Sequence, residues 1–273
     1  MSAAEAKRNQ GCALVTGASR GIGAAVARAL AEDGWPVAVN YRQDANGAQA
    51  VVEETIAAGH QALEIQADVA DERSVEGMFN TVEDRFGPVL VLVNNAGVRH
   101  DRLIGGLSKE DWNRVIDVNL GGAFHTISRA IGPMVRLRFG RIINMSSISA
   151  TRPLPGQAAY ASTKAALEAL TRTVAQEVAR RGVTVNAIAP GLVATDFIPE
   201  LMKSPEAARA VPARRLAEPQ EVASLVRFLA SDEAAYITGA VTTVDGGFSA
   251  GFGAISRNPR QSTSVEAKRR VEG

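Results

Sequence analysis

The chain has 273 residues, 46% of them hydrophobic and 22% charged, an ordinary globular composition that excludes wholesale disorder. Thirty basic residues against 29 acidic ones leave a net charge of +1, so no global field draws the chain to nucleic acid or an anionic membrane. One cysteine, Cys12, excludes an internal disulfide and a cysteine metal cage, and the three histidines are too scattered for a metal site. The N-terminal ten residues lack the apolar core of a signal peptide, and no run approaches the ~18 apolar residues of a membrane span. The expectation is a protein of the reducing cytoplasm.

Short apolar runs alternate with longer helical patterns along the chain. Strands are predicted at Cys12–Thr16, Val37–Tyr41, Ala62–Ala67, Val89–Asn94, Arg141–Met145, Val183–Ile188 and Ala240–Val244. Helices are predicted near Gly21–Asp33, Asn46–Ala58, Asp71–Phe86, Lys109–Leu137, Gln157–Arg181 and Pro219–Ser231. The run Val89-Leu90-Val91-Leu92-Val93 has no polar alternation, which suits a strand covered on both faces. The pattern predicts one α/β domain over residues 11–250: a Rossmann-type, doubly wound parallel sheet of about seven strands, with helices on both faces. Residues 1–10 read as a flexible N-terminus. Residues 251–273 read as a polar, basic tail, disordered or in contact with a partner. The irregular segment at about 195–214, with prolines at 199, 205 and 212, follows a strand end and reads as a lid.

The run Thr16-Gly17-Ala18-Ser19-Arg20-Gly21-Ile22-Gly23 leaves the first strand and opens an alanine-rich helix. Glycines there permit a tight turn, and the helix N-terminus offers free N–H groups to a pyrophosphate. Gly23 would let helix and strand pack closely. The spacing differs from the G-x-G-x-x-G fingerprint. At the end of the second strand, Val39-Asn40-Tyr41-Arg42 has no carboxylate to take a ribose 2′-OH. Arg42 and Arg20 could face a 2′-phosphate through paired donors, which favours NADP over NAD. Two exposed surface arginines would give the same pattern.

Tyr160 and Lys164 stand at i and i+4 on one face of a predicted helix. A tyrosine phenol ordinarily titrates at about 10 and so trades protons poorly at neutral pH; a neighbouring ammonium would lower that value. The pair could then protonate an alkoxide as hydride arrives. Ser147, at the end of the fifth strand, could hold a substrate carbonyl beside Tyr160, or simply form the turn. Asn119 lies inside a helical pattern, where asparagine is mildly unfavourable. It could point to solvent or hold a water.

Taken together, Thr16-Gly17-x-x-x-Gly21-Ile22-Gly23, Asn94-Asn95-Ala96-Gly97, Asn119, Ser147, Tyr160-x-x-x-Lys164 and Pro190-Gly191 resemble the short-chain dehydrogenases/reductases over residues 11–249. Within that family the chain looks most like the 3-oxoacyl-[acyl-carrier-protein] reductases. The resemblance implies Tyr160 as proton donor, Lys164 as its modulator and ribose ligand, Ser147 as the carbonyl holder, and Asn119 as the holder of a relay water. It implies adenine contacts at Asp68 and Val69, and a ribose wall from Asn95, Ala96 and Gly97. A nicotinamide bracket would run from Pro190 and Gly191 through Val193 to Thr195. Gly17, Ser19, Arg20, Gly21, Ile22, Gly23, Tyr41 and Arg42 complete the cofactor set. Arg138 and Arg181 match positions where carrier-dependent members meet the acidic carrier protein. A homotetramer is implied as well.

The leading expectation is therefore NADPH-dependent reduction of a 3-oxoacyl thioester, in fatty-acid or polyketide synthesis. A reductase of free ketones, sugars, steroids or alcohols keeps the same chemistry. A non-catalytic dinucleotide sensor would have no physical need for all four of Asn119, Ser147, Tyr160 and Lys164.

Overall fold

Each of the valine- and isoleucine-rich runs enters one sheet. The computed structural model describes residues 10–251; residues 1–9 and 252–273, most of the two predicted terminal segments, lie outside the described residues. The strands are β1 (Cys12–Val15), β2 (Val37–Tyr41), β3 (Ala62–Gln66), β4 (Val89–Asn94), β5 (Gly140–Met145), β6 (Val183–Pro190) and β7 (Val241–Val244). They pair in parallel in the order β3-β2-β1-β4-β5-β6-β7. All six residues of β4 and all six of β5 are buried, as two-sided cover requires. The edge strand β7 is only half-buried.

The helices are α1 (Gly21–Glu32), α2 (Ala45–Ala57), α3 (Glu72–Phe86), α4 (Lys109–Ile116), α5 (Gly122–Leu137), α6 (Ala158–Val178), α7 (Pro205–Ala210) and α8 (Pro219–Ala230). Helix α1 packs between α2 and α8 in one layer, while α3, α5, α4 and α6 adjoin in the other. Side chains cap several starts: Asp44 accepts from Gly47 N–H, Asp71 from Ser74 N–H and Ser108 from Asp111 N–H. The helix predicted over Lys109–Leu137 is broken by a π-turn at Asp117–Gly121. The segment predicted as a lid contains a 3-10 turn at Glu200–Lys203 and the short α7, which Pro205 opens and the Ser204 side chain caps. Six residues are too few for helical periodicity to register in a sequence.

A buried polar chain ties β4 and β5 together. Asn94 Nδ2 donates to Asn144 Oδ1 (2.9 Å), Asn144 Nδ2 donates to Thr171 Oγ1 (2.8 Å), and Thr126 Oγ1 donates to Asn94 Oδ1 (2.6 Å). β1 lies between β2 and β4, so the helices following β1 and β4 leave on opposite faces. The crevice that opens above the C-terminal ends of these strands is where α/β sheets take ligands.

Candidate active site

The glycine turn after β1 needs its glycines for two separate reasons. Gly17 and Gly21 have φ of 60° and 57°, in the left-handed region. A Cβ on Gly23 would lie 2.4 Å from Gly17 O and 2.6 Å from Asn95 Nδ2. The turn is tied to its neighbours. Gly17 N–H donates to Asn40 Oδ1 (3.2 Å), and Thr16 Oγ1 accepts from the N–H groups of Asn95 and Ala96 (3.0 Å each). Asn95 Nδ2 donates to the carbonyls of Thr16 and Gly17 (2.9 Å each). No side chain caps α1 at Arg20, so its first N–H groups keep their donor capacity at the crevice floor.

A cavity of about 580 Å³ runs along this edge of the sheet. Gly17, Ser19, Arg20, Gly21, Ile22 and Gly23 line it at β1, and Tyr41, Arg42, Asp68 and Val69 line it at β2 and β3. Asn95, Ala96 and Gly97 follow β4, and Pro190, Gly191, Val193 and Thr195 follow β6, so the whole predicted cofactor set meets in one place. Arg42 pairs with Asp68 at 3.5 Å, Arg114 reaches the same carboxylate at 3.4 Å, and Arg20 lies 3.9 Å from Asp44. Both arginines proposed for a 2′-phosphate thus stand at the rim, each already beside a carboxylate. β2 ends at Tyr41, with no acid there, and the residue before it is buried Asn40, whose amide donates to the carbonyls of Tyr41, Ile65 and Ala67. Its role is to hold the glycine turn against β2, and nothing in the sequence periodicity marks it.

The far end of the cavity holds Ser147, Tyr160 and Lys164. Ser147 follows β5 and its Oγ accepts from Ser149 N–H at 3.1 Å. Tyr160 and Lys164 leave the first two turns of α6, both buried, with Lys164 Nζ 5.5 Å from the Tyr160 ring centre. Lys164 Nζ donates to Met145 O at 2.6 Å. Burial pushes the Lys164 ammonium down to about 8. Burial also pushes the Tyr160 phenol above its ordinary value; a hydrogen bond from Ser147 and the charge of Arg99 work against that rise, and the charge of Asp101 adds to it. The expected lowering of Tyr160 by Lys164 is therefore not what the structure shows. Loss of hydration at Tyr160 outweighs the opposing contributions of Ser147 and Arg99, and Lys164 is itself desolvated.

Asn119 lies behind the cavity wall, buried in the π-turn. Its Oδ1 accepts from Val98 N–H (2.8 Å), and its Nδ2 donates to Val98 O (2.9 Å) and Thr163 Oγ1 (3.1 Å). The extra residue of the π-turn turns this amide toward the β4 loop and α6 together, where a regular helix would leave it competing with its own backbone. A Cβ on Gly97 would lie 3.4 Å from Asn119 Oδ1 and 3.7 Å from Lys164 Nζ. Gly97 thus stands between the two polar groups. At the substrate end the loop after β4 contributes Arg99 and the segment predicted as a lid contributes Ile198, Met202 and Phe197, the last 6.0 Å from the Tyr160 ring, while Leu154 and Phe248, which the sequence did not single out, complete the lining.

Arg138 and Arg181 stand elsewhere. Arg138 ends α5 with φ of 53°, and its Nη2 donates to Arg180 O at 3.2 Å. Both precede strands, β5 and β6, whose opposite ends carry Ser147 and Gly191. Six residues of β5 and eight of β6, at about 3.3 Å each, put Arg138 roughly 20 Å and Arg181 roughly 26 Å from the crevice of their own chain. Among the described residues, no helix is long and apolar enough to cross a membrane.

Residues 17–249 match the family model described as enoyl-(acyl carrier protein) reductase. The chain is 48% identical to the 3-oxoacyl-[acyl-carrier-protein] reductase of Synechocystis sp. over 236 residues, covering 86% of this chain and 95% of that protein. It is 43% identical to the 3-oxoacyl-[acyl-carrier-protein] reductase FabG of Escherichia coli strain K12, covering 86% and 96%. Among solved structures it is similar to a blue fluorescent protein from a metagenomic library in complex with NADPH. That similarity has a TM-score of 0.83 and 38% identity, covering 88% of this chain and 98% of the other. With a match over nearly the whole described length and the glycine turn, serine, tyrosine and lysine converging in one crevice, the chain belongs to the short-chain dehydrogenase/reductase family.

Proposed function

We propose that the protein is an NADPH-dependent reductase that converts a 3-oxoacyl thioester, carried on acyl carrier protein, to the 3-hydroxyacyl thioester. The observation that carries the reading is the meeting of Ser147, Tyr160 and Lys164 at an apolar-walled end of the same cavity that the glycine turn opens. The dinucleotide fits this chain's residues: left-handed glycines, an uncapped helix start and a cleft that extends from Asp68 to Thr195. When bound, it supplies the hydride. Ser147 and Tyr160 hold the ketone oxygen, and Tyr160 delivers the proton as charge develops there. Lys164, pushed by burial to about 8, can take up or release a proton near neutral pH and so recharge Tyr160. Leu154, Phe197, Ile198 and Met202 give the acyl chain an apolar wall.

Arg20 and Arg42 are the groups proposed to select the 2′-phosphate, exchanging part of their pairing with Asp44 and Asp68 for a doubly charged partner. The reading includes a homotetramer of the cytoplasm serving fatty-acid or polyketide synthesis. A carrier protein that touches Arg138 and Arg181 would have to span the length of these strands to reach the crevice of the same chain, or else serve the crevice of another subunit. The deciding assay follows NADPH consumption with a 3-oxoacyl thioester of pantetheine beside free ketones. Faster turnover of a free ketone, sugar or steroid would replace the thioester reading. No turnover with any of them would leave a dinucleotide-binding protein.

A further inference from the structure

Arg99 and Asp101 stand in the loop after β4, outside every motif used above. Arg99 is only 14% exposed although it lies in a loop, and its guanidinium forms a two-armed pair with the Asp101 carboxylate. The same guanidinium lies 6.0 Å from the centre of the Phe197 ring, which in turn lies 6.0 Å from the centre of the Tyr160 ring. The lid ring thus neighbours both the paired cation and the proton donor. A guanidinium that is mostly buried and paired in its own loop keeps its charge near the ring, where solvent screens it less than at the surface.

We propose that Arg99 is a positioning residue for the reduction: clamped by Asp101 and laid against Phe197, it supplies fixed positive charge beside Tyr160. Asp101 is its counterweight, and the two together set the pH at which Tyr160 releases its proton. The proposal rests on the reading of Tyr160 as proton donor, though not on which carbonyl compound is reduced. The Arg99 charge opposes the upward push of burial on Tyr160, and the Asp101 charge adds to it. The other polar and charged groups around the phenol are accounted for separately. Lys164 comes from the same helix and Ser147 from the β5 loop, while Arg152 and Asp196 line the same cavity from the segment after β5 and from the lid.

The test is the pH profile of the oxidative direction, in which the rate rises as Tyr160 loses its proton. Arg99→Met should move the rising limb to higher pH and Asp101→Asn should move it to lower pH. At one pH on that limb the first variant should be about threefold slower than the parent and the second about threefold faster, because rate there tracks the phenolate fraction. The double variant should return close to the parent profile, and Arg99→Lys should restore part of it. A merely structural pair gives another pattern: both single variants slow at every pH, limbs unmoved, and the double variant no better. That pattern would overturn the proposal, as would shifts in the same direction. The profile is taken with whichever alcohol the parent oxidises, 3-hydroxyacyl thioester or free alcohol. Failure of the thioester reading therefore shows as a change of substrate, and failure of this proposal as an unmoved limb. Should no alcohol be oxidised, tyrosinate absorbance titrated in the same backgrounds, with and without Tyr160→Phe, reads the same shifts among only three tyrosines.

Discussion

Tyr160 and Lys164 are buried at a cost that only chemistry explains. Tyr160→Phe keeps the ring against Phe197 and removes the transferable proton. Turnover should fall at least about 10²-fold, with NADPH binding measured by fluorescence largely kept. Near-normal turnover would remove Tyr160 from the mechanism. Lys164 makes a prediction about stability. Its ammonium titrates at about 8 in the fold against 10.5 when exposed, so between those values the unfolded chain binds more protons and stability rises with pH. Below about 8 the full cost of the buried charge is present, roughly 3 kcal/mol. Lys164→Met removes that cost and loses the charge-assisted bond to Met145 O, about 1.5–3 kcal/mol. The variant should therefore be inactive yet no less stable at pH 7, with a gain of up to about 1.5 kcal/mol, read from denaturant unfolding. The gain should shrink as pH approaches 10.5. A variant less stable at pH 7 would mean that Lys164 is held by more than its one carbonyl contact.

At the scale of elements, the glycine turn is the clearest local constraint. Gly23→Ala puts a methyl group against backbone oxygen at a distance no packing tolerates, so strand, turn and Asn95 must shift. Affinity for NADPH in equilibrium titration should weaken about tenfold or more, and the thermal midpoint should drop. Unchanged affinity would mean that the turn does not hold the pyrophosphate. This element was fully legible in the sequence, because a strand, a glycine cluster and a helix in that order leave few alternatives. The alternation of strands and helices was legible for the same reason, since buried parallel strands read as unbroken apolar runs. The π-turn was not. Asn119 drew notice as a poor helix residue, but one extra residue in a turn changes no periodicity. Asn40 escaped notice too, because its four hydrogen bonds go to backbone groups, most of them distant in sequence. The influence of Lys164 on Tyr160 was inferred from spacing, and spacing carries no information about hydration.

For the whole molecule, the parallel sheet has two unlike edges. One gathers every loop that lines the crevice; the other carries Arg138 and Arg181. The arginines proposed to set cofactor preference stand on the first edge. Arg42→Ala should raise the Michaelis constant for NADPH roughly ten- to a hundredfold and leave that for NADH nearly unchanged, since only the former carries a 2′-phosphate. Equal losses with both cofactors would place Arg42 in a structural role with Asp68. The second edge was predicted from resemblance alone, and only topology reveals how far it stands from the chemistry. At the crevice edge, where β4 and β5 end, lies the buried polar chain of Asn94, Asn144, Thr126 and Thr171. It acts as a proofreading device during folding. A slip of two residues between β4 and β5 keeps every apolar side chain facing correctly, so hydrophobicity alone cannot reject it. The slip would break the bond between Asn94 and Asn144 in a buried interior and leave each with only its threonine, at about 1–3 kcal/mol. The central pair of strands is thus locked to one alignment, and its backbone amides should be the last in the protein to exchange with deuterated solvent.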